Sequence, residues 1–291
     1  MKINVNIISA FVNPTVNSGA TGNPAGVVLD ADALSQEQKL AIASQVGLSE
    51  TAFVSQSNSA DVKLEFFTPT KQIAHCGHAT IATFSYLKQQ GLVSGLHSSK
   101  ETIDGNRNIR LGTESVYMEQ LAPKYQSLSD FKMAVCSAIG LSENQTIGDP
   151  WLVNTGNSFI IIEVNTWADL VAIQTDLDAI SELSSQYDAI GFYVFTQDTL
   201  GQAVSATARM FAPAYGIEEE SATGMAAGPL ACYLHDKLGL KKTLIQIEQG
   251  RAMSIPAPSL INVELDVDNH DVKGLMAGGQ GKLVDTIQVE V

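Results

Sequence analysis

Cysteine is scarce in this 291-residue chain. Its three cysteines, Cys76, Cys136 and Cys232, are odd in number, far apart and without a CxxC pair. That excludes a disulfide framework and points to a reducing cytoplasm. Basic residues are also few: 17 Lys and Arg stand against 31 Asp and Glu, a net charge of −14. Nucleic acid and anionic membranes both need basic patches, so neither is expected as a partner. A small anion remains compatible, because a local site can be positive inside an acidic protein. No apolar run approaches the length of a membrane span, and Met1 leads into the alternating segment INVNIISAFV without a signal-peptide pattern. A soluble, cytoplasmic protein is expected. Cofactor motifs are missing too: the glycines near Gly77 and Gly224 form neither GxGxxG nor a P-loop, and no GxSxG elbow occurs. Nucleotide cofactors and serine hydrolysis are unsupported, and no cofactor is expected.

What is present is an ordinary globular composition, 45% hydrophobic and 16% charged, on a chain long enough for two domains. The stretch opening at Ile73 runs from a polar Cys-Gly-His turn into apolar residues at helical spacing, Ile81, Phe84 and Leu87, with Ala82 and Tyr86 beside them. This predicts a helix from Gly77 to about Gln89, buried nearly all round. The start of such a helix presents backbone N–H groups and a positive dipole end, which suits an anionic substrate. Ahead of it, Ser35 and Gln38 form a capping-box pattern, and Gly47 stops the helix they open. Strands are expected over Lys2 to Val12, Gly26 to Leu29, the TAFV segment and Val62 to Phe66, with Asn13 to Ala25 as a loop.

From Trp151 the first half starts again. Gly22-Asn23 is answered by Gly156-Asn157, Phe67 by Phe211, and Gly77 by Gly224 at the head of a second apolar helix, Ala222 to Leu234. Several pairings in one order favour a duplicated domain, and the period is too long for a solenoid. Each half reads as many short strands and one long apolar helix, which is most easily buried by wrapping a curved sheet around it. The fold expected is α+β: two similar domains, each a curved, mostly antiparallel sheet or barrel around a central helix. The domains expected are 1–122, to which a last strand at about 280–291 returns, and 123–279, with two helix N-termini at a shared cleft.

Several residues compete for the chemistry. His75 and His78 sit three apart, but the remaining histidines are scattered and no nearby carboxylate or Cys pair completes a shell, so no metal is expected. Cys76 at a helix N-terminus could be a thiolate. A paired-thiol epimerase would need a second cysteine where the other half has Glu220-Ser221-Ala222-Thr223-Gly224, and none is there. Carboxylates are better candidates. Glu50 lies between a helix stop and an apolar strand, and its counterpart in the second half falls near Ile190, so the duplicated fold does not itself require an acid there. Glu218, Glu219 and Glu220 precede the second helix. Charge complementing the helix dipole accounts for most of that run, with Glu220 the member expected to face the cleft.

Together, GNPAGVVL, GLSETAFV, CGHATIATFSYL and FAPAYGIEEESATGMAAGPLACYL resemble the phenazine-biosynthesis (PhzF-like) isomerase family, which shares the diaminopimelate epimerase fold. The match continues through the late EQG and the GG before the last strand. The resemblance implies a site between two similar domains and cofactor-free isomerisation of a cyclic amino acid, a dihydro-hydroxyanthranilate in the characterised member, by moving a proton along a conjugated system. The family's catalytic glutamate falls on Glu50 and the histidine of its GH motif on His78. Its E-D-P-A-T-G-S pattern falls on Glu219 through Met225, so the aspartate is Glu220 and the substrate-binding serine is Met225. The expected site is therefore Glu50, His78 and Glu220 for catalysis, with Asn23, Cys76, Gly77, Gly224 and Met225 for binding a small carboxylate-bearing substrate. The resemblance suggests a homodimer. An epimerase or racemase using Cys76, and an inactive binding relative for which Met225 is the motive, are the alternatives.

Overall fold

Strand pairing repeats itself along the chain. The computed structural model describes residues 1–16 and 21–291, and these divide into two compact units. Unit 1 is built from Met1–Thr15, Thr21–Glu119 and Gly278–Val291, and unit 2 from Gln120–Ala277.

In unit 1, strand Lys2–Ala10 pairs antiparallel with Asn23–Val28, which runs parallel to Thr51–Ser55, which in turn is antiparallel to Val62–Phe67. Val62–Phe67 takes the short strand Gln72–Ile73 antiparallel and His97–Thr102 parallel, and Gly105–Leu111 then closes antiparallel on His97–Thr102. Unit 2 follows the same grammar. Thr146–Asn154 is antiparallel to Ser158–Val164, which is parallel to Gly191–Thr196, which is antiparallel to Ala206–Ala212. Ala206–Ala212 takes the short strand Ile217–Glu220 antiparallel and Leu244–Gln249 parallel, and Ser259–Asp268 closes antiparallel. Each unit is thus a mostly antiparallel sheet with two parallel steps, and a parallel step needs a crossover, supplied here by helices. The first crossover holds Gln36–Val46 in unit 1, and Trp167–Ala172 with Leu177–Gln186 in unit 2. The second holds the central helices, Gly77–Gln89 and Gly224–Asp236. This is the expected α+β fold, a curved sheet on a central helix, built twice.

The central helices are apolar all round because they are covered all round. Every residue from Gly77 to Leu87 is buried, as is every residue from Ala226 to His235. Close approach is written into the second helix by Gly228, where a Cβ would sit 2.1 Å from the Gln120 side-chain oxygen. Gln120 uses that contact: it accepts from the Thr155 hydroxyl at 2.7 Å and donates to the Gly224 carbonyl at 2.9 Å. The crossover helix Gln36–Val46 carries the capping box read from the sequence, and Gly47 leaves it in the left-handed region at φ 69°.

Other elements differ from the sequence reading. The loop expected through Ala25 ends sooner, because Asn23–Val28 is already a strand opposite Ala10. Ser129 to Ile139, which the sequence suggests as a helix linking the halves and capped by Gly140, is a 3-10 turn followed by a seven-residue helix that packs inside unit 2 against Thr146–Asn154 and Leu177–Gln186. The helix Trp167–Ala172, the strand Asp271–Gly279 and the strand Ile217–Glu220 are additional. Among the described residues, no helix is long and apolar enough to cross a membrane.

Candidate active site

Glu50 is placed by a stop and a start. The preceding helix ends at Gly47, and strand Thr51–Ser55 begins one residue after Glu50. Its carbonyl accepts from the Gly26 N–H at 3.0 Å, extending the parallel pairing, and the residue is 6% exposed. An acid so buried is not surface filler, since carboxylates are almost never buried without partners.

His78 is the second residue of the central helix of unit 1 and is equally buried. Its Nε2 lies 3.3 Å from Glu50 Oε2, and its Nδ1 lies 3.6 Å from Cys76 Sγ. Cys76 is the helix N-cap but makes no side-chain cap; its carbonyl accepts from the Thr80 hydroxyl at 2.6 Å. Burial is the main force pushing the Cys76 thiol up, with the Glu50 charge adding to it and the His78 contact opposing. Unit 1 therefore brings together Glu50, Cys76 and His78 at the helix start that Gly77 opens. One ligand atom from each of the three lies within 4.8 Å of the others. The imidazole, however, turns one nitrogen to sulfur and the other to carboxylate. Donors spread to either side of the ring in this way are a poor arrangement for a shared metal ion, which would need them to converge on one point. Asn23 is buried at the head of its strand.

His75, weighed with His78 as a metal pair in the sequence and set aside, has a different neighbour. The Lys100 ammonium, fully buried, lies 3.4 Å from His75 Nδ1, donates to the Thr80 hydroxyl at 2.6 Å and sits 5.1 Å from the centre of the Phe66 ring. Burial pushes Lys100 down to about 7, and burial with the Lys100 and Arg107 charges pushes His75 down to about 3. Lys100 lies 25 residues from His75, on the strand His97–Thr102, and nothing in the local pattern marks it.

Unit 2 separates the three acids by strand geometry. The pairing of Ile217–Glu220 with Ala206–Ala212 shifts register between Met210 and Ala212, and the last two glutamates take different partners. Glu219 forks onto Arg209, with Nε to Oε1 at 2.7 Å and the second terminal nitrogen to Oε2 at 2.9 Å. Glu220 Oε2 instead accepts from the Thr223 hydroxyl at 2.6 Å, beside the start of the second central helix at Gly224. Met225 is half-buried, and its sulfur accepts from the Asn157 amide at 3.4 Å.

Compared with known proteins, residues 10–284 match the family described as phenazine biosynthesis-like protein, PhzC-PhzF. The chain belongs to this family. It is 31% identical over 290 residues to the uncharacterized isomerase YddE of Escherichia coli K12, covering 96% of this chain and 95% of that one. It is 30% identical over 268 residues to the trans-2,3-dihydro-3-hydroxyanthranilate isomerase of Pseudomonas chlororaphis, covering 88% and 87%. The crystal structure of the Bacillus anthracis phenazine biosynthesis protein of the PhzF family matches the whole of both chains with a TM-score of 0.90 at 26% identity. The Escherichia coli and Pseudomonas chlororaphis relatives are isomerases by name, and this chain is a PhzF-like isomerase.

Proposed function

We propose that the chain moves a proton between carbons of a small, carboxylated, cyclic amino acid, the kind of reaction named for the Pseudomonas chlororaphis relative. The observation that carries this reading is the buried contact between Glu50 Oε2 and His78 Nε2 at 3.3 Å. A proton shift along a conjugated system asks only for a group that takes a proton at one carbon and returns it at another, so no cofactor is required. A buried carboxylate beside an imidazole can do both.

The direction of the small network follows from the thiol. Cys76 stays protonated because burial pushes it up, so its S–H donates to His78 Nδ1. The ring proton then sits on Nε2, facing Glu50. Glu50 takes the substrate proton, and the Nε2–H stabilises the carboxylate before and after. The same protonated thiol opposes the epimerase alternative, which needs a thiolate. Neither Cys76 nor Thr223 caps its own helix through its side chain. First-turn N–H groups at Gly77 are the groups proposed to bind the substrate carboxylate. Glu220 orients the substrate through its remaining polar groups.

The test uses trans-2,3-dihydro-3-hydroxyanthranilate as the probe in D2O, with NMR following deuterium entering carbon. The wild-type protein should wash deuterium in, and Glu50→Gln should not. Exchange at an equal rate in both would refute the role of Glu50, and no exchange in the wild type would refute the substrate class.

A further inference from the structure

Gln249 ends the strand Leu244–Gln249 and is fully buried in unit 2. A primary amide offers two acceptor and two donor positions, and here all four are used. Oε1 accepts from the Tyr193 hydroxyl at 2.9 Å and from the Thr223 backbone N–H at 3.1 Å. Nε2 donates to the Glu220 carbonyl at 2.7 Å and to the Thr223 hydroxyl oxygen at 3.2 Å. Two of these partners are backbone groups with fixed parts, since an N–H can only donate and a C=O can only accept. The amide therefore stands in one orientation and cannot be flipped.

That orientation sets every hydrogen downstream. Thr223 has a single hydroxyl hydrogen, and its oxygen already accepts from Gln249. The hydrogen is left to go to Glu220 Oε2, at 2.6 Å, a length typical of a donor facing a charged oxygen. Upstream, burial and then the Glu220 charge push the Tyr193 phenol above its ordinary range, so it stays a donor to Gln249. Thr223 is also the N-cap of the second central helix. An N-cap threonine ordinarily accepts from a first-turn N–H with its side chain, but this one makes no such bond and turns to Glu220.

We propose that Gln249 is a positioning residue: it directs the hydrogen bonds from Tyr193 through Thr223 to Glu220 and holds Glu220 as an ionised, hydrogen-bond-accepting carboxylate. Toward a substrate, Glu220 then accepts from an ammonium or hydroxyl group and is not the acid of the reaction. This rests on reading Glu220 as substrate-facing, and it divides the labour between the two carboxylates, proton transfer to Glu50 and fixed negative charge to Glu220.

The test needs no substrate. In the full-length protein labelled at glutamate Cδ, with the signal assigned by Glu220→Gln, carbon NMR follows the ionisation of Glu220 between pH 4 and 8. Thr223→Val keeps the shape and removes the hydroxyl, so the ionised form loses its donor and the midpoint should rise by about one pH unit, tenfold in the equilibrium. Thr223→Ser keeps the donor and should stay at the wild-type midpoint. Gln249→Met should raise the midpoint as Thr223→Val does. Gln249→Asn, whose amide is withdrawn by one methylene, serves if the Met variant does not fold. A wild-type midpoint in Thr223→Val overturns the relay, and a wild-type midpoint in the folded Gln249 variants overturns the part given to Gln249. Because no turnover is measured, failure here is distinguishable from failure of the proposed isomerase chemistry.

Discussion

His78 Nε2 and Glu50 Oε2 lie 3.3 Å apart with both side chains almost fully buried. Glu50 stands three positions after the Gly47 helix stop and immediately before the strand Thr51–Ser55, while His78 comes from the first turn of another element. Neither local structure needs the other, so their meeting is a property of the fold.

The thiol beside this pair should be unreactive. Cys76 is buried and its thiol is pushed up, so the thiolate fraction at neutral pH is small. Iodoacetamide at pH 7.5 should label Cys76 in the native protein at least about ten times more slowly than free cysteine. Cys76→Ser, which retains a donor to His78 Nδ1, should keep most of the activity. Rapid labelling that substrate blocks, with loss of activity in the serine variant, would favour thiol chemistry.

Lys39 and Glu65 form an ion pair inside unit 1 with side chains 5% and 6% exposed. Burial works against the Glu65 carboxylate, yet the hydrogen bonds from Lys39 and Gln36 prevail and hold it below its ordinary range. Lys39→Met should cost about 3–5 kcal/mol by stranding a buried charge, while Lys39→Met with Glu65→Met should be close to neutral. A carboxylate lowered on folding adds stability above the ordinary glutamate range and loses it as pH falls through the folded value. Urea midpoints across pH 3 to 7 should therefore fall less steeply on the acid side in the double variant. A single variant as stable as the wild type would show that the pair carries nothing.

Lys100 gives the opposite sign. Its ammonium is pushed down to about 7 in the fold and titrates near 10.4 in an unfolded chain. Between these values the unfolded chain holds a proton that the folded one does not, so this group makes stability rise with pH from about 7 to about 10. Lys100→Met removes that contribution. Its stability relative to the wild type should be greatest near pH 6.5 and should shrink by pH 9.5, in paired urea titrations. A pH-independent difference would contradict a neutral-range lysine at this position. The same variant should raise the titration of His75, now held down to about 3 partly by the Lys100 charge, which imidazole NMR reads directly.

How much of this was legible depended on whether the signal was local. The central helices were, because Ile81, Phe84 and Leu87 recur at helical spacing with almost no charge between them. The Ser35–Gln38 box and its Gly47 stop were legible for the same reason. The strand Ile217–Glu220 was not: three consecutive glutamates show neither alternation nor strand propensity, and the strand exists because Ala206–Ala212 pairs with it and Arg209 takes up Glu219. Which acid faces Thr223 is decided by that register. Lys100 with His75, and Gln249 with Tyr193, are meetings of residues tens of positions apart, and no pattern along one segment announces them.

The most direct test remains the carbon-bound proton. In D2O, with trans-2,3-dihydro-3-hydroxyanthranilate as probe, Glu50→Gln should lower the rate of deuterium entry by about 10²–10⁴-fold, the usual worth of a general acid–base group, in a protein whose fold is otherwise unchanged. Deuterium entering at the wild-type rate in Glu50→Gln would contradict the account.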